Sequence, residues 1–211
     1  MTQDVLAPER AREAAFKLLS VCYELPSSEM NKVQLFQGLI QTLELLESDA
    51  VEEAKAMKKI ADETDNWLPL QIAFSKLFVG PLKLLAAPYG SVYLDKGRQI
   101  MAQSTMDVQV FYNKAGIGID KDKKEIPDHI KVELEAMYVL CFKARVAEQE
   151  GDIDEAARFT KLQNEMLVEH LSTWVGEFTN DVEKETPHDF YKHLARVTRT
   201  FINEEKARVT A

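Results

Sequence analysis

His129 and Glu133 stand four residues apart, a spacing that puts both on one face of a helix and would let them share a metal ion. Glu135 falls off that face and no third ligand is supplied locally, so the pair reads as a capping or solvent-facing arrangement. His188 and His193 are five apart and do not share a helical face, and His170 stands near Glu165 and Glu169; each reads as structural or exposed. Cys22 and Cys141 sit inside apolar helical patterns (LLSVCYEL and YVLCFKA) with no Cys or His at ligand spacing, as buried small hydrophobes do in a reducing compartment. No Gly-x-Ser-x-Gly occurs, and GPLKLLAAPYGS lacks the spacing of a phosphate loop. The expectation is a protein that is not an enzyme and holds no metal or cofactor.

Charge narrows the partners. With 35 acidic against 26 basic residues the chain carries a formal charge of -9, which repels phosphate backbones and anionic lipid and favours a cationic partner. The best basic run, KDKK at Lys121–Lys124, is flanked by acids. The beginning MTQDVLAPERAREAAFKLL has no signal-peptide pattern and no apolar run reaches about 18 residues, so a cytoplasmic protein is expected.

The elements that must position these groups are helical. Ala11, Ala14, Ala15, Leu18, Leu19 and Cys22 recur at three and four residues until Pro26; Ser28 caps a second helix carrying Leu35, Leu39, Leu43 and Leu46; further helices fit 49–64 and 70–79, the latter closed by Gly80 and Pro81. Five of the eight glycines then fall between positions 80 and 118. Ser104 or Thr105 caps a helix through Tyr112, and SVYL at Ser91–Leu94 has the composition of a short extended segment. GIDKDKKEIP, at 118–127, reads as a hinge. Beyond it Asp128 caps a helix to about Glu150, Asp152 and Glu155 form a capping box for one reaching Phe178, and Thr186 with Pro187 opens the last. Trp174 belongs to an apolar stripe with Leu171 and Phe178, whereas Trp67 stands at a loop-to-helix junction. The fold class is all-α, about eight to ten helices in one domain, with residues 1–117 as its N-terminal portion, a hinge at 118–129 and residues 130–211 as its C-terminal portion.

FSKLFVGPLKLLAAPYGSVYLD, from Phe74 to Asp95, breaks a helical pattern into a loop dense in Pro, Gly and aromatic residues, which must be packed against something or kept for a partner. Four motifs in order resemble the TorD/DmsD/NarJ family of cytoplasmic molybdoenzyme maturation chaperones, most closely its TorD and DmsD branch. They are Leu77-Phe78-Val79-Gly80-Pro81, then Ala87-Pro88-Tyr89-Gly90-Ser91-Val92-Tyr93, then Ser104-Thr105 with Val108, Tyr112 and Gly116, and last Asp128-His129-Ile130 with Glu133, Leu134, Glu135 and Met137. The family's Glu-Pro-x-Asp-His hinge is Glu125-Ile126-Pro127-Asp128-His129 here, with the proline one position later.

The resemblance implies an all-helical chaperone that binds the twin-arginine leader and apo-form of a molybdopterin-containing oxidoreductase, assists cofactor insertion and prevents premature export. Such a leader joins two guanidinium groups to an apolar segment, so its receptor needs carboxylates beside an apolar groove. Asp128 and His129, with Glu133 or Glu135, are the candidates for the first, and Pro88, Tyr89, Val92 and Tyr93 for the second. On residues alone, packed core is the preferred reading of the same loop and an N-cap that of Asp128. Rival functions are a guanine-nucleotide-responsive switch, for which no phosphate loop is present, and an adaptor without leader recognition. A monomer is expected, with domain-swapped dimers accessible through the hinge.

Overall fold

The computed structural model describes residues 6–80, 84–118 and 125–210, leaving Pro81, Lys83 and most of the 118–127 hinge, including KDKK, outside the described residues. Within them the fold is all-α, with a single isolated backbone bridge and no strand. Eleven α-helices follow one another: α1 (Leu6–Cys22), α2 (Glu29–Lys32), α3 (Leu35–Leu45), α4 (Val51–Asp62), α5 (Leu68–Phe74), α6 (Ser91–Leu94), α7 (Gln103–Ala115), α8 (Ile130–Glu150), α9 (Ile153–Glu165), α10 (Ser172–Glu185) and α11 (Asp189–Thr210). Two π-helical segments, Ser75–Val79 and Met166–Leu171, extend α5 and join α9 to α10.

Helical spacing of apolar residues builds the core. In α1 it buries Ala11, Ala15, Phe16, Leu19 and Cys22, and in α8 Ile130, Leu134, Met137 and Cys141. Helix α1 lies between α3 and α8, α4 packs on α3 and α11, α9 on α8, and α10 on α11. Phe78 is the hub of an aromatic cluster, with ring centroids 5.1 Å from Phe74, 5.9 Å from Tyr191 and 6.0 Å from both Tyr23 and Phe178. Two buried tyrosines pair their hydroxyls: Tyr191 donates to Leu70 O at 2.8 Å, and Tyr23 shares a hydrogen bond with Thr198 at 2.9 Å. Both cysteines are free and buried, and burial pushes each thiol up to about 12, which suits packing and not nucleophilic chemistry.

Several boundaries differ from the sequence reading. The helix expected from Ser28 through Leu46 is broken in two at Gln34, whose φ of 54° is left-handed. Ser91–Leu94 is a helical turn and not an extended segment. Asp95, not Ser104 or Thr105, serves the start of α7, accepting from Ser104 N at 3.1 Å and from the Ser104 hydroxyl. Asp152 caps α9 by accepting from Glu155 N at 3.0 Å, as expected, but the run continues through the π segment to Glu185. The last helix starts at Asp189, after Thr186 Oγ1 accepts from His188 N at 3.1 Å.

Candidate functional site

The 84–95 loop is held against the segment entering α8. Gly90 N donates to Asp128 O and Ile130 N to Pro88 O, both at 2.9 Å, forming an antiparallel bridge between Tyr89 and His129. The Tyr89 and His129 rings meet edge to face, with centroids 5.1 Å apart. Irregular backbone of this kind exposes donors and acceptors, and the two segments satisfy each other's.

Asp128 does not cap α8. That place belongs to His129, whose Nδ1 accepts from Lys131 N at 3.0 Å, which leaves the ring proton on Nε2. Burial pushes the His129 imidazole down to about 4, outweighing the pull of Glu125, so the ring is neutral and able to accept. Asp128 turns inward instead. It is 1% exposed, and its Oδ2 accepts from Ser91 N at 2.7 Å, which draws Ser91–Leu94 into a turn. Its Oδ1 is buried and has no hydrogen-bond partner.

One helical turn on, Glu133 is equally buried, and its Oε2 accepts from Trp174 Nε1 at 3.1 Å. Desolvation raises its carboxyl to about 8 against the Trp174 hydrogen bond, and the Asp128 charge adds to the rise. Tyr93 stacks on Trp174 at 5.9 Å with planes 17° apart, and Gly90 lies against the Nε1 edge of the indole. Tyr112 donates to Pro127 O at 3.1 Å from α7, fixing the approach to Asp128.

Asp128 and Glu133 line a cavity of about 300 Å³ together with Asp95, Asp107, Glu169 and His170, with Leu94 and Val108 supplying apolar wall. Leu94, Asp107 and Glu169 are exposed and mark its mouth. His170 leans on Phe111 at 5.2 Å, and burial lowers its imidazole although Glu169, Glu165 and Asp107 pull it up. On the other side of the loop, Leu84, Leu85, Ala87, Val92 and Ile100 line a groove of about 500 Å³, rimmed by Arg98, Asp181, Lys184 and Glu185. Arg98 pairs with Asp181 at 2.9 Å and lies over the Tyr93 ring.

The candidates from the sequence are therefore divided. Asp128 and Glu133 share one cavity, Val92 belongs to the groove behind it, Tyr89 and His129 form the seam, and Pro88 is buried beneath it. Glu135 faces elsewhere: it pairs with Lys17 at 2.6 Å and borders a third groove with Lys131 and Glu125. Sequence reasoning missed Asp95, Asp107, Glu169 and Trp174 and set His170 aside, because helix packing alone brings them to Asp128.

Residues 43–180 match the family model described as nitrate reductase delta subunit. The chain belongs to that family. Its curated relatives, with the TorD/DmsD/NarJ resemblance, include proteins named chaperone protein TorD. The one from Vibrio vulnificus (strain YJ016) is 25% identical over 208 residues, 95% of each chain. The one from Aliivibrio salmonicida is 26% identical over 186 residues, 85% of each. The fold is shared with a crystal structure from Archaeoglobus fulgidus, described as a redox enzyme maturation protein, at a TM-score of 0.58 and 21% identity over 90% of this chain and 93% of the other. In this member of the nitrate reductase delta subunit family, every residue named above as lining the acidic cavity falls within the matched span.

Proposed function

We propose that the protein is a maturation chaperone of the cytoplasm that binds the twin-arginine leader and the apo-form of a molybdopterin-containing oxidoreductase, assisting cofactor insertion and holding back export. Family membership and relatives named TorD chaperones support the class of function. The observation that carries the leader reading is the buried, unpartnered Oδ1 of Asp128 in a cavity of five carboxyl side chains, at the junction of two motif segments. A guanidinium offers several donors in a plane and matches such a site.

In this reading Asp128 and Glu133 receive arginine, His129, Tyr89 and Pro88 hold the loop, and Val92 belongs to an apolar groove bordered by the same loop. Tyr93 of the loop braces Trp174. Glu135 stands outside this arrangement.

Titration calorimetry of the purified chain against a twin-arginine leader peptide of its client, with a peptide carrying Gln at both arginines as control, tests the function. Tight binding lost in the control is the expected result. Equal affinity for both peptides, or none for either, would overturn leader recognition.

A further inference from the structure

The acidic cavity is incomplete in a specific way. Five of its lining side chains are carboxylic, and His170 is the one basic group among its described lining residues. A cluster of acids at a surface is ordinarily just solvated, but Asp128 is not at the surface: Ser91 N occupies its Oδ2, and nothing donates to its Oδ1. A buried acceptor left without a donor is unfavourable, so the site lacks a donor it is shaped to hold. Among the described residues no group of three or more His, Cys, Asp or Glu has an arrangement able to hold a metal ion, which points to an organic cation. Leu94 and Val108 beside the acids suit an aliphatic stem, and two carboxyls one helical turn apart at the start of α8 suit a planar fork better than a compact ammonium.

Resting on the leader reading above, we propose that this cavity takes one arginine side chain only, its guanidinium pairing with Asp128 Oδ1 and Glu133, while Glu133 releases its proton to solvent as the cation enters. The surroundings favour that exchange. Burial keeps Glu133 protonated to about pH 8 in the free protein. The groups around it are Asp128 ahead of α8, Tyr112 and Asp107 of α7, Asp95 after α6, and Glu169 and His170 of the π segment, with the Lys114–Glu165 pair beyond His170. Burial first, and the Asp128 charge after it, resist ionisation of Glu133 until a positive charge arrives. The second arginine stays at the mouth, near exposed Asp107 and Glu169.

The test is calorimetry of the full chain at pH 7 against the twin-arginine peptide and its two single Arg-to-Lys versions, each run in two buffers of different ionisation enthalpy. One lysine substitution should weaken binding about tenfold or more and the other far less. The twin-arginine peptide should release about one proton, because a group titrating near 8 is mostly protonated at pH 7. Glu133→Gln should bind more weakly and release none; if that variant does not fold, Asp128→Asn should show the affinity loss of about tenfold or more instead. Equal effects of the two lysine substitutions, or enthalpies independent of buffer, would overturn the single-arginine site while leaving leader binding in place. Absence of any binding to the twin-arginine peptide would end both.

Discussion

Trp174 Nε1 donates to Glu133 Oε2 at 3.1 Å, joining α10 to α8 through one buried hydrogen bond at the floor of the acidic cavity. The bond satisfies the indole, yet Glu133 remains so desolvated that its carboxyl rises from an ordinary 4.5 to about 8. Since the folded protein holds this proton more tightly than the unfolded chain, stability is greatest below pH 4.5 as far as this group is concerned and falls as pH rises towards 8. Below 6.5 the lowered imidazoles of His129, His170 and His188 slope the other way, so the clean window is pH 6.5 to 8. Across it the wild type should lose about 1–2 kcal/mol more than Glu133→Gln. Urea midpoints at the two pH values, for both proteins, check this.

Gly90 is required by closeness and not by its backbone angle, since its φ of -56° suits any residue. A Cβ there would lie 3.0 Å from Trp174 Nε1 and 3.3 Å from Cδ1 and Cε2. Tyr93 and Phe178 pack against the indole, with centroids 5.9 and 5.5 Å away, so it has little room to retreat. Gly90→Ala should cost about 1–3 kcal/mol, as overpacking does, and shift tryptophan emission as the bond to Glu133 breaks. Gly176→Ala, where a Cβ meets nothing within 4 Å in the middle of α10, should be neutral or stabilising by up to about 1 kcal/mol. Thermal melts of the pair separate contact from mere loss of glycine.

Periodicity made the long helices legible: the buried faces of α1, α8 and α11 are the ones their three- and four-residue spacing announces. It did not reveal the break at Gln34, because glutamine carries no signature for a left-handed φ. The π segment at Met166–Leu171 was hidden for another reason: Leu162, Met166, Leu167 and Leu171 are buried at spacings an unbroken α-helix also produces. Ser91–Leu94 reads as extended from its composition, and a tertiary contact from Asp128 overrides it. The seam of the site, Tyr89 with Asp128 and His129, was visible as motif. The cavity was not, since Asp95, Asp107, Glu169 and His170 converge only through the packing of separate elements.

Arg12 and Glu205 tie the first helix to the last. Arg12 Nε and Nη2 reach Glu205 Oε2 at 2.8 and 2.7 Å with both side chains nearly buried, and Glu9 and Arg208 extend the cluster. Arg12→Ala leaves the buried Glu205 carboxylate with only the longer Arg208 contact and should cost about 3–5 kcal/mol, whereas Arg12→Leu combined with Glu205→Leu should be close to neutral. Denaturant unfolding of the single and double variants measures the difference. Equal destabilisation by both would mean that packing, and not charge, sets the value of this contact.

His129 does two jobs with one ring, accepting from Lys131 N to cap α8 and standing edge-on to Tyr89. The cap needs an unprotonated Nδ1. Because burial holds the imidazole down at about 4, its contribution is complete above 6.5, the value of an unperturbed ring, and is lost as pH falls through about 4. His129→Ser should keep the capping bond and lose the ring contact, while His129→Ala should lose both, a further cost of about 1 kcal/mol. At pH 7 the order of stability is therefore wild type, Ser, then Ala. Below about pH 4 protonation removes the advantage of the wild type, and the Ser variant should draw level with it or pass it. Proton NMR of the ring should show it neutral at pH 6, where an exposed histidine is mostly charged; a midpoint near 6.5 would remove the buried-cap assignment.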